Sequence, residues 1–219
     1  MEEIRNIVLS YLDDITPRPY QEEVFEESLN WSVSVINMRT NSGKTLCAFM
    51  RMILSKHLTD LPSLFVAPKR ALLDQHRLSF VKQTKLSNVA RFYGSSTKPN
   101  SLSEFSSYDA VFVTPGWLVN NVLKFIPFPE FARHFSLLVV DEIHHAHADS
   151  KSPHAQLIFD HWLKSNEYHE LNLLGLTASV VEVKGDPISS ILEFLNNIQA
   201  ELVVPVLHAE TYESLSNPP

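Results

Sequence analysis

The sequence predicts an α/β protein built on a doubly wound, mostly parallel sheet in three α/β/α layers. Two observations carry this reading. Short apolar runs alternate with longer helical patterns, the order expected of a parallel sheet covered by helices. Several runs are apolar throughout, as strands buried on both faces must be. The 219 residues, 44% hydrophobic and 20% charged, are enough to bury one substantial core. No internal repeat, low-complexity tract or domain boundary interrupts them, so residues 1–219 read as one domain.

Taken in order, residues 1–15 are a short lead-in. "MEEIRNIVLSYLDD" is charged from residue 2 and lacks the basic-then-apolar layout of a secretory signal. Pro19–Asn30 reads as a helix, "VSVIN" (33–37) as a strand, and Lys44–Lys56 as a helix. Strand "SLFVA" (63–67), helix Arg70–Thr84 and strand "VARFY" (89–93) follow. Segment 94–108, rich in Ser, Lys and Pro, reads as a loop. Strand "AVFVT" (110–114), helix Trp117–Lys124 and strand "SLLVV" (136–140) come next. Segment 145–153 reads as a second loop, then helix His154–Ser165 and strand "NLLGLT" (172–177). Helix Pro187–Ile198 and strand "ELVVPVL" (201–207) close the pattern, with 201–219 leading out of the domain.

No apolar run approaches the length of a membrane span. The single cysteine, Cys47, excludes an internal disulfide and reads as a small buried apolar residue of a reducing compartment. The chain is expected in the cytoplasm, with the nucleus as the other option. A formal charge of −7 argues against a generic basic nucleic-acid binder. Yet Val66–Lys98 holds seven Lys or Arg (Lys69, Arg70, Arg77, Lys82, Lys85, Arg91, Lys98) against one acid, Asp74. On charge alone this is either a local grip for a phosphate backbone or a set of solvated helix residues.

Strand "VSVIN" runs directly into "MRTNSGKT", which opens a helix at Lys44. Free N–H groups and the helix dipole favour an anion at such a start. Thr40, Asn41, Ser42 and Gly43 would form the cradle, with Gly43 letting a phosphate approach the backbone. Lys44 would reach the β- and γ-phosphates, and Thr45 would offer its hydroxyl to Mg²⁺. A strict G-x-x-x-x-G-K-[ST] loop requires glycine at 38, where the residue is Met38. Asn41 stands where a glycine is usual, and Asn tolerates the left-handed conformation such a turn needs.

"FSLLVVDEIHHAHAD" ends a buried strand in Asp141-Glu142, placing two carboxylates at the edge where doubly wound folds bind ligands. Asp141 would hold Mg²⁺ through its water shell. Glu142 would orient and deprotonate an attacking water. His144, His145, His147, Asp149 and His154 raise the idea of a metal site, but H-E-x-x-H spacing is absent. A histidine just after the acidic pair fits a hydrogen-bonded link to a neighbouring motif better.

In this order the landmarks resemble the first RecA-like, P-loop NTPase lobe of superfamily 2 DExD/H-box helicases. "TPRPYQEEVFEESL" (16–29) is similar to the Q motif, "MRTNSGKT" to motif I and "VAPKRALLDQH" (66–76) to motif Ia. "VTPGWLVN" (113–120) is similar to the T-P motif, "DEIHHA" (141–146) to motif II and "LGLTAS" (174–179) to motif III. The T-P-R-x-Y-Q opening, the DE-x-HHA form and "GLTASV" most resemble Dicer endoribonucleases and the related cytosolic sensors of viral RNA. Against that pattern Ile143 replaces a common cysteine.

The resemblance implies Gln21 as adenine reader, and ATP with Mg²⁺ as cofactors held by Gln21, Lys44, Thr45, Asp141 and Glu142. It implies that Pro68, Lys69 and Arg70, with Thr114, Pro115 and Gly116, contact the backbone of double-stranded RNA. His144, Thr177 and Ser179 would couple hydrolysis to movement. A second helicase lobe, in cis or in trans, would complete the ATP site, and nothing here resembles a ribonuclease III signature. The implied role lies in RNA silencing or antiviral defence. The alternatives are a non-catalytic docking module derived from such a lobe and an ordinary superfamily 2 RNA or DNA helicase fragment.

Overall fold

Among the described residues seven parallel strands form one sheet, in the order β3-β4-β2-β5-β6-β1-β7. The computed structural model describes residues 1–146, 151–178, 193, 195–198 and 200–203. The strands are β1 (Val33–Asn37), β2 (Ser63–Val66), β3 (Val89–Phe92), β4 (Ala110–Val113), β5 (Leu137–Asp141), β6 (Asn172–Thr177) and β7 (Glu201–Val203). The apolar runs mark them because β2, β4 and β5 are buried at every residue, leaving no polar face to alternate. Residues 204–207 of the expected last strand, and 187–192 of the helix before it, lie outside the described residues; Glu193 and 195–198 are helical.

One face of the sheet carries α1 (Glu2–Tyr11), α2 (Pro19–Ser28), α3 (Lys44–Thr59) and α4 (Arg70–Gln83). Its core stacks Phe49, Phe65, Phe80 and Phe112, with ring centroids 5.0–6.3 Å apart. Cys47 is fully buried here, and burial pushes its thiol pKa up to about 12, so it is an inert apolar residue. The other face carries α5 (Pro115–Leu118, continued by a π turn Val119–Leu123), α6 (Phe128–Ala132) and α7 (Pro153–Ala155, continued to Trp162). Phe92, Phe105, Trp117, Phe131 and Phe135 fill that side.

Three elements depart from expectation. The lead-in is a folded helix: Ile4, Val8 and Tyr11 recur at helical spacing, Val8 is buried, and Arg5 pairs with Glu22 of α2 at 2.8 Å. Segment 94–108 contains a 3₁₀ turn, Leu102–Ser107, that buries Phe105. Residues 128–132 form α6 although prolines flank its start, because Pro is tolerated in a first helical turn. Among the described residues no helix is long and apolar enough to cross a membrane.

Candidate nucleotide site and nucleic-acid interface

β1 and β5 flank β6, and all three run parallel. The register sets Asn37 beside Thr177 and Asp141 beside Leu176. The loop after β1 and the acidic end of β5 therefore emerge from the same sheet edge, one strand apart.

The loop makes two left-handed turns. Asn41 has φ +65° and Gly43 φ +85°, so the asparagine adopts the conformation that glycine usually supplies. A Cβ on Gly43 would lie 2.0 Å from Gln21 Nε2. Met38 departs from the glycine pattern because it continues the strand: its N–H donates to Thr177 O at 3.1 Å, and its side chain is buried in the core. Ser42 is buried, and its carbonyl accepts from Tyr20 Oη (2.7 Å) and Gln21 Nε2 (2.9 Å). Gln21 Oε1 in turn accepts from the Arg18 N–H at 2.9 Å. Thr40 and Asn41 are exposed, while Gly43, Lys44 and Thr45 are half-buried.

Two features show that the loop suits a phosphate. Any side chain at 43 would collide with the Gln21 amide that braces the loop, and among the described residues the N–H groups of Gly43, Lys44 and Thr45 have no protein acceptor. They open the 16-residue helix α3, whose dipole favours an anion at this end.

At the end of β5, Asp141 is 3% exposed, and its Oδ2 lies 2.9 Å from His76 Nε2 of α4. His76, Gln21, Asn41, Gly43 and Thr45 share the lining of one cavity of about 380 Å³ between α2, α3 and α4. Glu142 is left-handed, with φ +51° and ψ +47°. A non-glycine residue held there is strained, and such strain clusters at working sites. His144 Nδ1 lies 2.9 Å from Thr177 Oγ1 and 3.4 Å from Glu142 Oε2. The acidic turn is thus tied to the end of β6. Ser179 lies outside the described residues, as do His147 and Asp149. Ile143 is fully buried against Gly175, where an added Cβ would meet its Cδ1 at 2.7 Å and Cγ2 at 2.9 Å.

A second depression, about 460 Å³, opens at the carboxyl ends of β2, β3 and β4. Pro68, Arg70, Thr114, Pro115 and Gly116 line it together with Tyr93 and His154. Lys69 is exposed but outside the lining. Arg70 and Arg91 both engage Asp74, at 3.7 and 2.6 Å, and both cover the Tyr93 ring. The seven cations of the basic stretch do not gather on one face. Lys82 and Lys85 sit at the far end of α4, about 20 Å from Arg70, and Lys85 donates to Ser10 O of α1. His154 is buried with its Nε2 unpartnered, and burial holds its pKa down to about 4.

Sequence patterns assign Tyr20 and His76 no role of their own, and His154 reads there only as a member of the histidine cluster. His76 has a recognisable signal, a polar ring on the inward stripe Leu73–His76–Phe80 of a helix.

Comparison with known proteins decides the family. The DEAD/DEAH box helicase model matches residues 18–185, most of the chain. The chain belongs to the DEAD/DEAH box helicase family. Helicases of this kind bind nucleotide, usually with Mg²⁺. The lobe is similar to Dicer-like protein 1 of Aspergillus terreus (29% identity over 204 residues, 86% of this chain and 13% of that one). It is 30% identical to Dicer-like protein 2 of Coccidioides immitis (88% of this chain, 14% of that one). It is 27% identical to Endoribonuclease Dicer homolog 2 of Arabidopsis thaliana (83% and 14%). The Hef helicase domain of Pyrococcus furiosus shares the fold, with TM-score 0.67 and 24% identity over 86% of this chain and 38% of that one. The helicase lobe thus spans only about an eighth of the length of the curated relatives it matches.

Proposed function

We propose that this helicase lobe binds ATP with Mg²⁺ and couples its nucleotide state to contacts with the backbone of double-stranded RNA. The observation that carries the reading is the shared sheet edge: the phosphate cradle, Asp141-Glu142 and the His144–Thr177 link lie on three adjacent strands. Gln21 keeps a second amide hydrogen and a second lone pair for a base while bracing Ser42. Lys44 and the free N–H groups take the phosphates, and Thr45 with Asp141 takes the ion's water shell. When bound, Mg²⁺ supplies neutralisation of charge on the transferring phosphoryl group. Glu142 holds and deprotonates the attacking water.

His144 and Thr177 carry displacement between that carboxylate and β6. Arg70 and the Thr114–Gly116 turn read backbone shape rather than sequence. A second lobe completes hydrolysis. Double-stranded RNA and a role in silencing or antiviral defence follow from the likeness to Dicer-like proteins.

The test is RNA-stimulated ATPase of the chain joined to a second helicase lobe, with duplex DNA as comparison. Stimulation by duplex RNA, lost in Lys44→Ala and in Glu142→Gln, is expected; activity surviving both substitutions rules out the assigned roles. The engaged amide of Gln21 and the engaged oxygen of Asp141 favour one competing reading, a non-catalytic docking module. Isothermal titration separates the two, because a module shows no ATP binding at millimolar nucleotide.

A further inference from the structure

His76 belongs to none of the motif positions that the nucleotide reading uses, yet it makes the only side-chain hydrogen bond to Asp141 among the described residues. Its Nε2 stands 2.9 Å from Oδ2, with the two side chains 12% and 4% exposed. The ring is fixed on its other side by Phe65 of β2, 5.1 Å between centroids at 47°. It also lines the cavity shared by Asn41, Gly43 and Thr45. A bond this buried is not weakened by competing water.

We propose that His76 is a positioning residue for Asp141, holding one carboxylate oxygen so that the other faces the water shell of a nucleotide-bound Mg²⁺. The inference rests on the nucleotide-site reading above and adds a residue from a different element, α4, to it. The physical reason is orientational. Mg²⁺ keeps most of its waters and demands near-octahedral geometry, so a carboxylate that turns freely presents its acceptors poorly. A ring N–H fixed to Oδ2 stops that rotation. Removal of such supporting hydrogen bonds typically costs ~10- to 100-fold in metal affinity or activity. A merely structural contact predicts otherwise: its loss would leave metal dependence unchanged.

The test uses the chain as it stands, a hydrolysis-resistant fluorescent ATP analogue and a Mg²⁺ titration. His76→Phe keeps a ring against Phe65 but has no donor. It should raise the Mg²⁺ concentration for half-maximal nucleotide binding ~10- to 100-fold, a larger change than in metal-free nucleotide binding. His76→Gln, whose amide nitrogen reaches to about the position of Nε2, should restore a requirement close to the wild type. An unaltered Mg²⁺ requirement in His76→Phe overturns the proposal while leaving the nucleotide site in place. A wild-type chain without Mg²⁺-dependent nucleotide binding overturns both.

A second measurement needs no substitution and stands if His76→Phe fails to fold. The His76 ring ¹H–¹⁵N resonance should move when Mg²⁺ is added to the nucleotide-bound protein. A resonance that stays still overturns the proposal.

Discussion

The nucleotide edge and the depression at β2–β4 are built in opposite ways. At the nucleotide edge the groups around the open N–H cradle are braced inside the protein: Ser42 O by Tyr20 and Gln21, Asp141 by His76, and His144 by Thr177. At the depression the cations stay in solvent. The Arg70 side chain is 69% exposed, and its main partner, Asp74, is shared with Arg91. Buried, mutually braced groups fail abruptly when one is removed. Exposed ion pairs contribute little singly and respond to salt. The first region should therefore behave as a unit and the second as a sum of small contacts.

The largest effect expected is at Gly43. Gly43→Ala forces a side chain onto Gln21 Nε2 and into a left-handed backbone, which costs about 1–2 kcal/mol from the backbone alone. Titration calorimetry should show nucleotide binding weakened at least ~10-fold. Retained affinity would mean that the braced edge tolerates a break and that the contrast is wrong.

On stability rather than binding, an acid effect is expected at His154, which lies under the depression. The folded protein holds this ring neutral because it is buried, with its pKa about 4 against an ordinary 6.5. Between those values the unfolded chain binds the extra proton, so stability is fully present above about pH 6.5 and is lost as pH falls toward 4. The loss is of the order of 2–3 kcal/mol, and His154→Phe should flatten the melting-temperature profile across that window. Parallel profiles for the two proteins would show that the ring is not the source.

Smaller again is Arg70→Ala. Duplex binding should weaken only a few-fold, and the slope of log affinity against log salt should drop by about 1. A sequence-dependent loss would contradict backbone-level contact. The smallest effect is at Asn41, already at φ +65°. Asn41→Gly removes a modest strain, so ATP affinity should stay equal or tighten slightly. A clear loss would give the asparagine side chain a role of its own.

What could be read in the sequence follows the range of each interaction. β2, β4 and β5 are legible because a strand buried on both faces must be apolar at every residue. The turn at Asn41 is legible because few residues other than glycine enter that conformation. α1 is hidden by its charged start, and α6 by Pro127 and Pro129, which read as breakers yet sit where a first turn accepts them. The bonds from His76 to Asp141 and from Tyr20 to Ser42 span 65 and 22 residues. They depend on which helix faces which strand end, and no local pattern encodes that. The dispersal of the basic stretch has the same origin, since a 14-residue helix carries its two ends apart.

The contact between Ile143 and Gly175 has a consequence for how this lobe can vary. Both atoms that crowd an added Cβ, Cδ1 and Cγ2, belong to the isoleucine, and Val35 Cγ2 stands next at 3.1 Å. Cysteine at 143, the residue common in the Dicer form of the motif, has neither atom. Positions 143 and 175 therefore form a volume-exchange pair: a β-branched residue after Glu142 confines β6 to glycine, and a smaller one relaxes that limit to the contact with Val35. In a library randomised at both sites, the folded members should fall along that anticorrelation, linking motif II to motif III by shape as His144 and Thr177 link them by a hydrogen bond.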